Sequence, residues 1–442
     1  MNGIYNYLFV KEAIPNEIEQ DSILNIVTNN VTAYTHGFHK YPAKFIPHIP
    51  QWGINKYLYG QKSKTIFDPF CGSGTTLVEG ILAGHNVIGI DIDPLSCLIA
   101  KVKTTIVDTS ELNKISDWLV KKIKKKKRGE FKPECETIRH WFPDETINIL
   151  SIIRTLINQI PKKFGNNKSI KDIQHLLIIC FSSIIRRVSF ADNESQKTYV
   201  SHTKIKTPEE PLSLFLSQLA LYKERIAEFS NNAKFKLKNQ VICTSSTELL
   251  REKLKGRTID LAITSPPYIK AIDYIYNQMV ELFWIGDLFD MQIQPKQNQK
   301  KKRYIGTKHF YRKEFAEYTP FNTTIGIKKL DKKIQKVFIS DKKNGHKHAY
   351  VTFKYFKDME NHFEEISKCL DKGRHYIMVV GDSSVSNILF NTAEFLTEIA
   401  ERNGFKMKNK WGYKIKNRYM RFDRNGRGGI IEIDWVLDFA RV

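Results

Sequence analysis

Apolar positions along this chain follow two rhythms. Short, nearly continuous apolar runs at 65–68, 86–91 and 259–264 have the length and composition of strands buried on both faces. Between 110 and 240 the apolar residues instead return at helical spacing, as in Ile147, Leu150, Ile153 and Ile157. A strand from Thr65 to Asp68, a glycine-containing turn from Pro69 to Gly74, a helix from Thr75 to Ala83 and a strand from Asn86 to Asp91 make one compact βαβ unit. Such a unit implies a parallel sheet. The α/β pattern resumes at Val241 and passes through the strand ending at Thr264. It closes with a helix (Phe356 to Leu370), a strand (His375 to Gly381), a helix (Thr392 to Asn403) and a strand (Trp435 to Arg441).

The expected architecture is therefore α/β: a Rossmann-like, doubly wound, mostly parallel sheet with a helical insertion. Its expected segments are 30–109, the insertion at 110–240, 241–293, a basic stretch at 294–348, and 349–442. The longest apolar run, Leu176 to Ile185, is interrupted by Ser182 and Ser183 and is too short to span a bilayer, so it reads as a buried helix.

Charge says what such a scaffold meets. Seventy Lys and Arg against 47 Asp and Glu leave a formal net charge of +23, which favours a polyanionic partner through attraction and counterion release. The 294–348 stretch alone holds sixteen Lys or Arg against four Asp or Glu. It interleaves them with Tyr304, Phe310, Tyr311, Phe315, Tyr318 and Phe321, as nucleic-acid readers do, with a disordered basic linker as the alternative. Lys300, Lys301, Lys302 and Arg303 are the candidate nucleic-acid contacts within it. A second basic run, Lys121 to Arg128, reads first as a solvated face and second as a phosphate patch. Six cysteines without a CxxC pair, and a start from Met1 to Ser22 that lacks a signal-peptide pattern, fit a soluble cytoplasmic protein. The twelve histidines show no metal-ligand spacing, and no metal is expected.

Two motifs carry chemistry. Thr264-Ser265-Pro266-Pro267-Tyr268 follows a buried strand, and two prolines can continue neither a ladder nor a helix. The chain is held in a rigid, extended turn that offers acceptors and an aromatic plane, which suits a flat ring bearing an amino group. Phe67 to Thr76 lies where a strand hands over to a helix, the ligand edge of a doubly wound sheet, with Gly72 and Gly74 allowing close approach to the backbone. Alone this is a weak signal. Asp91, about twenty residues further at the end of the next strand, can hold both hydroxyls of a ribose, although the third glycine of the dinucleotide fingerprint is missing.

Together these motifs resemble the S-adenosylmethionine-dependent DNA amino-methyltransferases, in particular the N4-cytosine type. Asp-Pro-Phe-Cys-Gly-Ser-Gly-Thr-Thr (68–76) is similar to their first cofactor motif, Asp91 to their ribose-binding acid and Thr-Ser-Pro-Pro-Tyr to their catalytic motif. His39 to Pro47 is similar to the segment that packs over the methionine end of the cofactor. The runs Ala271-Ile272-Asp273-Tyr274 with Phe283-Trp284, and Val380-Gly381-Asp382-Ser383, also match. The resemblance implies a class I methyltransferase fold, S-adenosylmethionine as cofactor and double-stranded DNA as substrate. It further implies a bacterial or archaeal restriction-modification role beside a cognate endonuclease.

On this basis the cofactor candidates are Lys44, Phe45, Ile46, Pro47, Asp68, Pro69, Phe70, Gly72, Gly74, Thr75, Asp91, Ile92 and Ser245. Ser245 stands in a loop, Cys243-Thr244-Ser245-Ser246, where many relatives place an Asp for the adenine. The catalytic candidates are Ser265, Pro266, Pro267 and Tyr268. Ser265 and the Pro266 carbonyl would accept the hydrogens of the target amine, with Tyr268 stacked on a base swung out of the duplex. Phe45 and Phe70 would shield the cofactor. A serine before the two prolines, where adenine-type relatives often carry Asp or Asn, favours cytosine N4. Adenine N6 presents the same geometry and stays open. Cys71 is read as a buried small residue, since cytosine-C5 chemistry needs a Pro-Cys and the chain has none. Asp93 is a helix cap or a ligand, and Asp382 a turn residue or a pocket border.

Overall fold

The structure is a computed structural model that describes the chain except residues 1–6, 11–12, 28–30, 43–44, 196, 234–236, 249, 271–272, 292–293, 341–342 and 416–431. Among the described residues one nine-stranded sheet runs in the order β1 (Tyr7–Val10), β2 (Ile23–Ile26), β10 (Phe405–Lys414), β11 (Ile433–Arg441), β7 (Leu370–Gly381), β6 (Ile259–Thr264), β3 (Thr65–Asp68), β4 (Asn86–Asp91), β5 (Asn239–Cys243). A separate hairpin pairs β8 (Ser383–Val385) with β9 (Ile388–Phe390). Neighbours in the large sheet are parallel except around β11, which is antiparallel to both β10 and β7. From β3 the chain steps outward to β4 and β5, then returns to place β6 on the other side of β3. That reversal opens a crevice at the carboxyl ends of β3 and β6, where doubly wound sheets take their ligands.

Alternation along the strands divides the interior in two. Ile66 of β3 and Ile377 of β7 enter one core, and their neighbours Phe67 and Met378 the opposite one. The first core is shared with α1 (His48–Leu58), α2 (Thr75–Leu82), α3 (Pro94–Thr104), α4 (Thr109–Lys125) and the helices Asp144–Phe164, Lys168–Ile185 and Pro211–Asn232. The second is shared with the helices Lys328–Ser340, Gly345–Ser367 and Thr392–Arg402. Helices on both faces of a mostly parallel sheet are the expected doubly wound architecture. The helices between 109 and 232 bury their apolar stripes in the sheet's own first core rather than in a core apart.

The basic stretch differs from expectation. It contains helices at Gln294–Lys301, Arg312–Phe315 and Lys328–Ser340, so the described part is no structureless linker. Along the last of these Leu330, Ile334 and Val337 are buried, which leaves the lysines on the outer face. Its aromatics mostly hold the segment down rather than face solvent. Tyr318 is a core residue, and Phe310, Phe315 and Tyr318 all pack on Tyr350 of the helix Gly345–Ser367. Tyr311 and Phe321 remain exposed. Lys121, Lys122, Lys124, Lys125, Lys127 and Arg128 point to solvent.

Candidate active site

The crevice is a cleft of about 740 Å³, a volume that includes space open to solvent. Over Pro69–Gly74 the chain turns sharply. The Cys71 amide donates to the Ile90 carbonyl (2.8 Å), the Gly74 amide to Cys71 (2.7 Å), and the buried Lys103 ammonium to the Ser73 carbonyl (2.7 Å). Asp91 ties this turn to the next strand, because its two oxygens accept from the Gly72 and Asp93 amides, both at 2.8 Å. Burial, helped by nearby Asp93, pushes the Asp91 carboxyl up to about 7. Asp93 in turn caps α3, accepting from the Leu95 and Ser96 amides at 2.9 and 3.0 Å.

Asp68 joins the two halves of the site. Buried at the end of β3, it accepts from the Thr264 hydroxyl (2.5 Å) and the Phe70 amide (3.1 Å), and burial holds its carboxyl up at about 6. Thr264 begins the Pro-Pro turn, so this bond fixes the turn against the glycine loop. Ser265 and Pro267 line the same cleft. The Tyr268 hydroxyl points elsewhere: it donates to Asp434 Oδ1 of β11 (2.8 Å), and the Tyr413 hydroxyl of β10 donates to Oδ2 (3.2 Å). Three near-parallel rings, Tyr41, Tyr274 and Tyr304, build one wall, with centroids 5.8 and 6.2 Å apart. The 34–42 segment is anchored by His36 Nε2 to Glu79 Oε1 (2.6 Å) and by His39 Nε2 to Ser182 Oγ (3.0 Å), and Phe45 lines the cleft.

A family model described as DNA methylase, of the N6/N4 type, matches residues 14–102, the stretch that contains the anchored segment, the glycine turn and Asp91. The type II methyltransferase M.MvaI of Kocuria varians is 26% identical over 424 residues, spanning 91% of this chain and 88% of that protein. The chain carries a DNA methylase domain of the N6/N4 type over residues 14–102. A second relative, the type II methyltransferase M.MjaII of Methanocaldococcus jannaschii, is 26% identical over 403 residues, 72% of this chain and 74% of its own length. Among solved structures, the rRNA methyltransferase aviRa from Streptomyces viridochromogenes aligns at 10% identity over 94% of this chain and 90% of that one, with a TM-score of 0.31.

The methyl donor of this methylase is S-adenosylmethionine. The cleft suits it: among the described residues the hydroxyls of Ser73 and Ser246, buried in its lining beside the Asp91 carboxylate, have no hydrogen-bond partner. Such atoms are costly unless a ligand satisfies them.

Of the cofactor candidates, Phe45, Pro69, Phe70, Gly72, Thr75, Asp91, Ile92 and Ser245 line the cleft of the methylase. Ile46, Pro47, Asp68 and Gly74 stand outside that lining, and Lys44 lies outside the described residues, as do Ala271 and Ile272. Gly74 answers to packing rather than to ligand approach: at φ +81°, a Cβ there would come within 3.0 Å of Ala100 on α3. Ser245 Oγ is already engaged by Thr247, and its neighbour Ser246 holds the free hydroxyl. Pro266 is buried, and Tyr268 faces Asp434 rather than the cleft.

The four candidate DNA cations are mostly spoken for. Lys300 donates to the Phe289 carbonyl, Lys301 lies 3.5 Å from Asp273, and Lys302 lies 2.9 Å from Glu314 and 3.3 Å over the Tyr311 ring. Arg303 lines the cofactor cleft. Sequence reasoning missed Tyr41, Ser73, Ser246, Tyr274 and Ile305 as lining residues. Tyr41 and Tyr274 stand within runs already singled out, but nothing in their spacing shows that they stack. Cys71 is buried, and burial pushes its thiol well up, which leaves it unreactive. Asp382 accepts from the Ala393 amide at 3.4 Å at the start of the helix Thr392–Arg402, the turn role.

Proposed function

We propose that this methylase is a site-specific cytosine-N4 methyltransferase acting on a cytosine flipped out of duplex DNA, in a restriction-modification system with an endonuclease that cuts the same site. The observation that carries the reading is Ser265, a neutral acceptor on a rigid turn, in the same cleft as Asp91. The exocyclic amine of cytosine is a poor nucleophile because its lone pair is drawn into the ring. Ser265 Oγ and the Pro266 carbonyl accept its two hydrogens, which draws the nitrogen toward tetrahedral geometry and aims its lone pair. A serine needs no charge for this, whereas a carboxylate or amide would be the adenine-type choice.

When bound, S-adenosylmethionine supplies an electrophilic methyl group. Asp91 would hold its ribose, Ser246 would meet its adenine end, and Phe45 and Phe70 would cover the sulfonium end, where aromatic faces favour a cation. The nitrogen would form its bond to the methyl carbon as the donor's carbon–sulfur bond breaks, leaving a neutral thioether, and one amine proton would pass to water. The test is product identity. DNA methylated by the purified protein is digested to nucleosides and analysed by mass spectrometry. N4-methyldeoxycytidine is expected, while N6-methyldeoxyadenosine would move the assignment to adenine.

A further inference from the structure

Beyond the tyrosine wall lies a second cleft, of about 330 Å³, that shares Tyr274 and Tyr304 with the first. Its ionisable lining is Lys270, Lys301, Lys308, His309 and Asp273. The one carboxylate among these residues is already in use, 2.6 Å from His309 Nε2 and 3.5 Å from Lys301. Lys270 stands two residues past the catalytic Pro-Pro-Tyr, at a left-handed φ of 54°. Among the described residues neither it nor Lys308 has an ion-pair partner, and burial with the charges of Lys308 and Lys347 lowers its ammonium to about 8. The second cleft is fixed relative to the catalytic turn: Gly306, at φ +76°, packs so closely that a Cβ there would sit 2.6 Å from the Tyr268 carbonyl oxygen. A half-buried lysine repelled by Lys308 and Lys347, with no counter-ion among the described residues, is unfavourable in the free protein and becomes favourable once an anion arrives.

We propose that this second cleft, centred on Lys270, seats a backbone phosphodiester of the target strand beside the flipped nucleotide. The inference rests on the DNA-methylase reading. An extruded nucleotide still hangs from its two phosphates, so groups just outside the base pocket meet them. A compact, paired-lysine site is what a phosphate oxygen pair would satisfy. Gly306 brings the loop from Tyr304 to His309 onto the turn, so seating the phosphate also positions the base against Ser265.

The test uses full-length protein with Lys270→Gln and Lys270→Arg, and unmethylated bacterial genomic DNA as substrate. For Lys270→Gln, KM for DNA should rise about ten-fold, the effect of removing one charge-assisted hydrogen bond. The slope of log kcat/KM against log salt should become shallower by about 0.9. Cofactor affinity, titrated separately, should stay unchanged, and Lys270→Arg should restore most of the loss. The melting temperature of Lys270→Gln should match or exceed the wild type, because a crowded, desolvated charge is gone. An active wild type with an unaltered salt slope in Lys270→Gln, or an equal loss in Lys270→Arg, would overturn the phosphate site alone. A wild type that methylates no DNA would overturn the substrate reading, and this site with it.

Discussion

Ser265 and Asp91 sit in one cleft yet should fail in opposite ways when altered. With Ser265 proposed to meet the target amine, Ser265→Ala is expected to slow methyl transfer by about 100-fold, the scale of one missing acceptor at a reacting centre, with cofactor affinity unchanged. Asp91 is proposed to hold the cofactor, and its carboxyl is held near 7 by burial and by Asp93. Ribose hydroxyls and a cationic ligand favour the ionised form, so binding must expel a proton whenever the pH lies below about 7. Cofactor affinity should therefore be level above that value and fall toward acid, by at most ten-fold per pH unit. Asp91→Asn should bind more weakly at pH 8 and lose this dependence. Calorimetric titration from pH 5.5 to 8.5 reads both, and a pH-dependent Asp91→Asn would remove the carboxylate from the role.

Strands β10 and β11 bring to the site a residue with no motif around it. Asp434 takes two buried phenol hydroxyls, from Tyr268 and Tyr413, and so ties the catalytic turn to the far side of the sheet. Asp434→Ala would leave both hydroxyls unsatisfied, at about 1–3 kcal/mol each. Urea unfolding should show a loss of about 2–6 kcal/mol, with kcat reduced more than the KM for cofactor is raised. Asp434→Asn, which can still accept from one phenol and donate to the other, should recover most of both; equal damage from the two substitutions would deny the tether. This tether was illegible in the sequence because the residues are 166 positions apart. The strand that carries Tyr413, Phe405–Lys414, also escaped notice, since exposed lysines alternate along it and dilute its apolar signal. By contrast, β3, β4 and β6 were legible to the residue, because burial on both faces leaves short, nearly continuous apolar runs. The glycine turn, Asp91 and Ser265 were legible because local chemistry fixes them. The tyrosine wall was not, because it joins three separate segments.

At the scale of the whole molecule, the excess charge matters by where it remains unpaired. Lys300, Lys301 and Lys302 are held by internal partners, so adjacency in sequence overstated their availability to DNA. The helix Lys328–Ser340 offers a different set: Lys328, Lys329, Lys332 and Lys336 are exposed on the face opposite its buried Leu330, Ile334 and Val337. The same segment supplies Arg303, Tyr304 and Ile305 to the cofactor cleft, which makes it contiguous with the catalytic edge. The basic tip of α4 belongs to the helices of the first core instead, on the other face of the sheet. Replacing the four helix lysines with glutamine should weaken duplex binding and flatten log affinity against log salt by up to about 3.6, at roughly 0.9 for each phosphate left without its cation. Replacing Lys121, Lys122, Lys124 and Lys125 should change that slope far less. Fluorescence-anisotropy titrations of a labelled duplex between about 50 and 300 mM salt distinguish the two surfaces. A larger effect from the α4 set would place the duplex across the first-core face and remove the helix Lys328–Ser340 from the DNA footprint.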